Sequence, residues 1–271
     1  MDDRTVVNTD TLRRLRGVLQ EMDSILVAFS GGIDSTVVFK VAHDTLGAKT
    51  LAVTAVSPTF PAVELEVARR VGAEIGGRHV IIDTDQLNLP EFVRNDAARC
   101  YHCKTDLYTA LEQLRAQQGI KTIVDGTHLG DLGDDRPGIQ AARAQGVHSP
   151  LVEAALTKED VRALAKSLGL SNWDKPAAAC LSSRIPRGVM ITREKLSRVE
   201  RAEAILGHEG FRQFRVRDQG DVARIEIEAT ELGRMLEGDR RERVTQGVKE
   251  AGFRFVTLDL EGYRTGSTNS P

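Results

Sequence analysis

The chain has 271 residues, 41% hydrophobic and 28% charged, with a formal net charge of -2. That composition excludes a disordered or fibrous chain. No apolar run approaches the ~18 residues a membrane helix needs, and the slight acidity gives no bulk electrostatic footprint for nucleic acid. Residues 25–29 read as a buried strand and 35–46 as a helix. A second strand follows at 51–56, then a helix over 61–71 with Pro61 at its start. Strands at 79–82 and 122–124 flank a helix at 104–114. The helix expected over 157–168 has Thr157 as its cap and Asp160 in its first turn. Strands separated by helices predict an α/β fold with a doubly wound parallel sheet.

The pattern changes after Pro176. A helix over 192–206 precedes two antiparallel strands, 211–216 and 222–227, joined through Asp218-Gln219-Gly220-Asp221. A polar helix at 240–250 and a strand at 253–258 complete a second, smaller α/β domain. The boundary is expected within 176–191, and the tail 262–271, rich in Gly, Ser, Thr and Asn, is expected to be mobile. No internal repeat is visible. Asp2, Asp3 and Arg4 lack the basic-then-apolar layout of a secretory signal, so the expected location is cytoplasmic. In a reducing compartment, three cysteines point to metal binding or catalysis rather than to a disulfide framework.

Ser30-Gly31-Gly32-Ile33-Asp34-Ser35 falls between the first strand and the first helix. Ligands of doubly wound sheets bind at the carboxyl ends of strands. Glycines let the backbone approach an anion there, and a helix N-terminus offers N–H groups with partial positive charge. Ser30 and Ser35 add hydroxyls. The segment suits a pyrophosphate group. It lacks the Lys of a Walker loop, and G-x-G-x-x-G is absent; a Gly-rich turn with a serine cap is the plainer alternative. The S-G-G-x-D-S form resembles the PP-loop of ATP pyrophosphatases, which split ATP into AMP and pyrophosphate through an adenylated intermediate. The resemblance implies that Ser30, Gly31, Gly32, Asp34 and Ser35 hold the pyrophosphate of ATP, with Mg²⁺ for which Asp34 is the candidate ligand.

Cys100-Tyr101-His102-Cys103 stands before a helix, and Cys180 stands alone between Pro176 and Pro186, near Ser182, Ser183, Arg184 and Arg187. A C-x-x-C pair fits a redox dithiol, half a zinc site or half an iron–sulfur site. For Cys180, a role as a small buried hydrophobe competes with a thiolate favoured by nearby cations.

Nearly the whole chain is similar to the LarE family, the ATP-dependent sacrificial sulfur transferases of nickel-pincer cofactor synthesis. The matching text is Trp173-Asp174-Lys175-Pro176 through Arg184-Ile185-Pro186, then Arg215-Val216-Arg217, Arg224-Ile225-Glu226 and Gly262-Tyr263-Arg264-Thr265-Gly266-Ser267. The PP-loop and Arg99-Cys100-Tyr101-His102-Cys103-Lys104 complete it. The resemblance implies an adenine nucleotide alpha hydrolase-like PP-loop domain over 1–180 and a small substrate-binding or oligomerisation domain over 181–271. It implies adenylation of the carboxylates of pyridinium-3,5-biscarboxylate mononucleotide and their conversion to thiocarboxylates. In single-cysteine members the residue at the Cys180 position gives up its own sulfur. Three-cysteine members resemble this chain better, and there Cys100, Cys103 and Cys180 would hold a 4Fe-4S cluster that delivers an extra sulfide. The single-use version stays open. A sulfur donor that recharges the protein and a homo-oligomer, such as a hexamer, are implied as partners.

By the same resemblance, Cys180, Cys100, Cys103, Asp131 and Arg184 serve catalysis. Gly126 and Thr127 join the nucleotide site, although the family's usual G-T-N-x-x-D reads Gly126-Thr127-His128-Leu129-Gly130-Asp131 here. Tyr101, Ser183, Arg184, Glu203, Arg215, Arg217 and Glu226 are the expected substrate residues. Guanidinium groups bind carboxylates and phosphates bidentately, and Arg215 and Arg217 alternate on one strand and so share a face. The plainer alternatives are a solvated strand face, surface ion pairs and core packing of Tyr101. Asp134-Asp135-Arg136-Pro137-Gly138 reads as a turn or a lid, and Arg264 and Ser267 as phosphate, subunit-contact or simple tail residues. A tRNA thiolation enzyme is the rival enzyme reading, against which the mild acidity and missing RNA-binding module argue. An amidotransferase-type synthetase would give Cys180 no role. A nucleotide-binding regulator is opposed by the intact loop with both Asp34 and Asp131.

Overall fold

Residues 3–132 and 137–264 are described in the computed structural model, with side chains from residue 9 onward. In chain order they form α1 (Asp3–Gln20), β1 (Ile25–Ala28), α2 (Ile33–Leu46), β2 (Thr50–Val56), α3 (Ala62–Ile75), β3 (Arg78–Asp83), α4 (Pro90–Val93), α5 (Arg99–Gln117) and β4 (Thr122–Val124). There follow α6 (Pro137–Ala144), α7 (Pro150–Glu153), α8 (Lys158–Ser167), α9 (Arg193–His208), β5 (Phe214–Gln219), β6 (Val222–Ile227), α10 (Arg240–Glu250) and β7 (Phe255–Leu258). The readings placed on 133–136 and on the tail from 265 lie outside the described residues. Two units divide the chain: Met1–Ser57 with Ala62–Gln86 and Cys100–Ala178, and Pro58–Pro61 with Leu87–Arg99 and Ala179–Pro271. Each is described by itself.

The first unit is the expected doubly wound α/β layer structure. Its four strands run in the order β3-β2-β1-β4, every neighbouring pair parallel. Side chains alternate faces along a strand, and this sheet buries both. Ile25 and Val27 of β1 pack in one cluster with Leu15 and Leu19 of α1, Val37 and Val38 of α2, Val71 of α3 and Leu164 of α8. Leu26 faces the other way, among Leu51, Val53, Ile123, Tyr108 and Leu111 of α5 and Ala142 of α6. The expected cap is present: Thr157 and Asp160 bond reciprocally at the start of α8, Asp160 N donating to Thr157 Oγ1 at 3.2 Å.

The second unit is a three-stranded sheet, order β5-β6-β7, with β5 and β6 antiparallel and β6 and β7 parallel. Leu196, Val199, Ala202 and Leu206 put one buried stripe along α9. At Gly247 of α10 an added Cβ would lie 2.9 Å from Ile205 Cδ1 of α9, so a side chain there would require Ile205 to shift. The hairpin is tighter than expected. Asp218 and Gln219 belong to β5, and Gly220, at φ +72°, makes the turn with Asp221. Asp218 is held in the strand by Arg198 of α9, whose Nε and Nη2 donate to it at 2.7 and 2.5 Å. Phe211, expected in the strand, is buried ahead of it. No helix among the described residues is long and apolar enough to cross a membrane.

The helix α1 was not expected, yet it seals one face of the parallel sheet through Leu15 and Leu19, both fully buried. Leu15→Ala should therefore lower unfolding stability by about 2–5 kcal/mol, read as a fall in the urea midpoint at unchanged slope.

Candidate functional site

Connections leave β1 toward β2 and β3 on one side, and the chain returns to add β4 on the other. The carboxyl ends of β1 and β4 thus flank a topological switch point, where ligands of such sheets bind. Both expected nucleotide segments stand there. Gly31, at φ +71°, presses against α3: a Cβ would lie 2.9 Å from Ala68 Cα. Gly126, just after β4, is closer still, for a Cβ would lie 2.7 Å from the Ser35 amide nitrogen. Within the loop Ser35 Oγ donates to Gly32 O at 3.2 Å and lies 3.2 Å from Ser30 Oγ. Thr36 Oγ1 donates to Gly32 O at 2.8 Å. The amides of a helix's first turn have no intrahelical acceptors, so the start of α2 presents donors at the switch point.

Asp34, the expected magnesium ligand, is engaged by Lys158, whose Nζ donates to both carboxylate oxygens at 2.6 and 2.7 Å. Asp125 organises the β4 end. It accepts from Thr127 N at 3.0 Å, Thr127 Oγ1 at 2.9 Å, Ser149 Oγ at 2.8 Å and Tyr108 Oη at 3.2 Å. Burial, with the Asp125 charge beside it, pushes the Tyr108 phenol well above its usual range, so it stays a donor. His128 and Asp131 open a single helical turn together: His128 N donates to Asp131 Oδ2 at 3.1 Å, and the buried ring places Nε2 3.4 Å from the same oxygen.

The three cysteines form no disulfide. Cys100 and Cys103 belong to the first turns of α5, three residues apart and so on one helix face. Cys100 is exposed, Cys103 half-buried, and Tyr101 between them meets the His102 ring edge-on at 5.8 Å. Cys180 belongs to the second unit, exposed at the cap of a single turn, Leu181–Arg184. Among the described residues no three of His, Cys, Asp and Glu are gathered as a metal ion would require.

That turn is gripped from two sides. Arg184, 3% exposed, donates through Nη1 to Ala179 O at 2.8 Å and Cys180 O at 3.0 Å, and pairs with Glu203 through Nε and Nη2, both at 2.8 Å. On the other side Arg99 Nη1 donates to Ser182 O at 3.0 Å and to Asn95 Oδ1 at 2.6 Å. Asn95, buried at φ +58°, donates on to Pro186 O at 2.8 Å and Val189 O at 2.9 Å.

Arg215 and Arg217 do share a face, but it is a buried one. Arg217, 5% exposed, donates to Glu226 Oε2 at 3.0 and 2.7 Å and to Ser183 O at 3.0 Å. Arg224 adds a bond to Glu226 Oε1 at 2.9 Å. The Arg215 guanidinium lies 5.0 Å from the Tyr263 ring centroid. Burial, then the Arg184 charge beside it, pulls the Arg215 guanidinium below its ordinary pKa, against the opposing pull of Tyr263 and Glu203. Four guanidinium groups, Arg184, Arg215, Arg217 and Arg224, meet Glu203 and Glu226 here, with Asp259 3.7 Å from Arg224. Against Glu203, Glu226 and Asp259 the four arginines leave an excess of one positive charge, three of them buried and Arg224 part-exposed, which suits an anion.

No family model matches the chain. Curated relatives do. A pyridinium-3,5-bisthiocarboxylic acid mononucleotide synthase of Lactiplantibacillus plantarum is 39% identical over 256 residues, covering 94% of this chain and 92% of its own. The chain belongs to the LarE family. An uncharacterized protein of Synechocystis is 44% identical over 95% of this chain and 96% of its own. A GMP synthase of Aeropyrum pernix is similar to this LarE-family chain at 28% identity over 68% of it and 39% of the relative.

Three residues that touch these segments escaped the sequence reading: Lys158, beside Asp34, and Asn172, whose Nδ2 donates to Gly31 O at 3.0 Å, in the first unit, and Asn95, beside Arg99, in the second. One had a legible signal. A lysine in the first turn of a capped helix opposes the helix dipole, so Lys158 needed a reason, and Asp34 supplies it. Removing one partner of a buried pair leaves an uncompensated charge. Glu203→Ala should accordingly cost roughly 3–5 kcal/mol, measured by urea unfolding, whereas Glu261→Ala on the exposed surface should be within about 0.5 kcal/mol of the parent.

Proposed function

We propose that this protein is an AMP- and pyrophosphate-forming sulfur transferase that converts the carboxylates of pyridinium-3,5-biscarboxylate mononucleotide into thiocarboxylates. The observation that carries the reading is the joining of a thiol to an anion site. The backbone of Cys180 is held by Arg184, and Arg184 is part of the buried cluster with Arg215 and Arg217. A substrate bearing two carboxylates and a phosphate matches that surplus of guanidinium charge. The relation to the Lactiplantibacillus synthase supports the substrate class, and the likeness to GMP synthase supports use of ATP.

In this reading the loop after β1 and the first turn of α2 hold the pyrophosphate, and Gly126, Thr127 and Asp131 border the nucleotide. A substrate carboxylate oxygen attacks the α-phosphorus, pyrophosphate leaves, and an acyl adenylate forms. Attack of a sulfur nucleophile on the acyl carbon then expels AMP. Lys158 neutralises Asp34; Asp34 would hold the magnesium of Mg-ATP, whose charge would favour attack at the α-phosphorus, and the Lys158 ammonium would serve phosphate oxygens. Tyr101, Ser183, Glu203 and Glu226 orient the substrate or its arginines.

The sulfur source follows from the thiols. Cys100 and Cys103, on one helix face, offer two thiolates of the soft kind iron–sulfur clusters take, and Cys180 offers a third. A 4Fe-4S cluster on these three would supply a transferable sulfide. Without it, the Cys180 thiolate would attack the acyl adenylate and expel AMP, and β-elimination from the resulting thioester would release the thiocarboxylate and leave dehydroalanine at position 180, so that the sulfur is given once.

Incubation with Mg-ATP and the biscarboxylate mononucleotide should release pyrophosphate and yield thiocarboxylate. Cys180→Ala should keep pyrophosphate release and lose thiocarboxylate. Absence of substrate-dependent pyrophosphate from the parent protein would sink the reading. Anaerobic purification should give about four irons per chain, lost in Cys103→Ala; an iron-free protein that still transfers one sulfur would leave Cys180 as the single-use donor.

A further inference from the structure

An anion loop works only if its carbonyl oxygens face away from the ligand. Every peptide offers both a donor and an acceptor, and the trans geometry sets them on opposite sides of the bond. In this loop the decisive peptide is Gly31–Gly32. Its carbonyl accepts from Asn172 Nδ2 at 3.0 Å, a bond buried in the protein. Its N–H, on Gly32, points the other way, to Ser30 Oγ at 3.3 Å on the exposed side. The same Nδ2 donates to Thr36 Oγ1 at 2.9 Å, and Thr36 in turn donates to Gly32 O. Both glycine carbonyls are therefore tied inward by one short chain of bonds.

Asn172 comes from the far end of the first unit, 141 residues after Gly31, and is 3% exposed. Its Oδ1 has no hydrogen-bond partner among the described residues. A buried amide kept for its donor side alone, with its acceptor unmatched, is expensive to hold. A purely packing role would be served by an apolar residue. Gly31 itself, at φ +71°, has the backbone freedom to rotate this peptide.

We infer that Asn172 is a positioning residue of the anion loop: its amide fixes the Gly31–Gly32 peptide so that the Gly32 N–H and the first-turn amides of α2 face the pyrophosphate. This rests on the proposed nucleotide reading of the loop. Asn172 touches no phosphate; it acts through the backbone that does.

The test is titration of the full-length protein with Mg-ATP and with inorganic pyrophosphate plus magnesium. Asn172→Asp keeps the shape and removes the donor. Asn172→Ser is shorter and admits water, and it carries the same test if the aspartate variant does not fold. Either should weaken both ligands about 10-fold or more. In turnover, KM for ATP should rise while KM for the mononucleotide stays put. Leu15→Ala, which destabilises the first unit from α1 without touching the loop, should change ATP affinity by less than about 3-fold even where it lowers the melting temperature by as much. Loss of affinity that tracks melting temperature across all three variants would mean a merely structural role and overturn the inference. Unchanged affinity in a folded Asn172→Asp or Asn172→Ser protein would overturn it too, leaving the function intact. A parent protein that binds neither ligand would remove the nucleotide reading, and this inference with it.

Discussion

The Ser35 amide and the Gly126 α-carbon are so close that no side chain at 126 would fit between them. This contact joins the first turn of α2 to the end of β4, and it can exist only because β1 and β4 are neighbours in a parallel sheet. From it follow the placement of the loop at the switch point and of Thr127 and Asp125 beside it, and the need for glycine at 126; glycine at 31 is required separately by the approach of α3. The two glycines are not generic flexibility. Each stands where another chain segment has already taken the space a Cβ would need.

In the second unit the governing constraint is desolvation. Burying guanidinium and carboxylate groups is costly, and pairing rarely repays it in full. A cluster of Arg184, Arg215, Arg217, Arg224, Glu203 and Glu226 is therefore poor evidence of stability and good evidence of a ligand. Glu203 and Glu226 orient the arginines, and Arg184 and Arg217 also bind backbone while Arg215 lies against the Tyr263 ring. The result is preorganised: the charge is held in place before any anion arrives, so little reorganisation is left to pay for at binding.

Much of this was legible from residue order. The parallel strands announced themselves as apolar runs between helical patterns, and the loop and the paired thiols could be named from spacing, whereas the alternating arginines were singled out with the help of the family resemblance. What residue order did not reveal has a common physical cause. Lys158 and Asn172 act on the loop from 124 and 141 residues away, and a side chain's partner across a sheet is decided by tertiary packing. The burial of Arg215 and Arg217 was hidden in the same way, since an alternating strand face reads identically whether water or protein covers it. For α1 the difficulty was local. Its apolar face is thin, with Leu12, Leu15, Val18 and Leu19 set among charged residues.

Exposure of the thiols carries a consequence for the chemistry of handling. Cys100 and Cys180 both lie open to solvent, where a thiolate climbs readily from sulfenic to sulfinic acid, the second step beyond ordinary reductants. The loop after β1, the Asp125 network and Lys158 contain no sulfur at all. In the proposed reaction, air would therefore damage the two half-reactions unequally. On that reading a preparation aged in oxygen would go on adenylating while delivering nothing, and the stranded acyl adenylate would be left to hydrolysis, so that ATP consumption by itself would overstate how much intact protein remained.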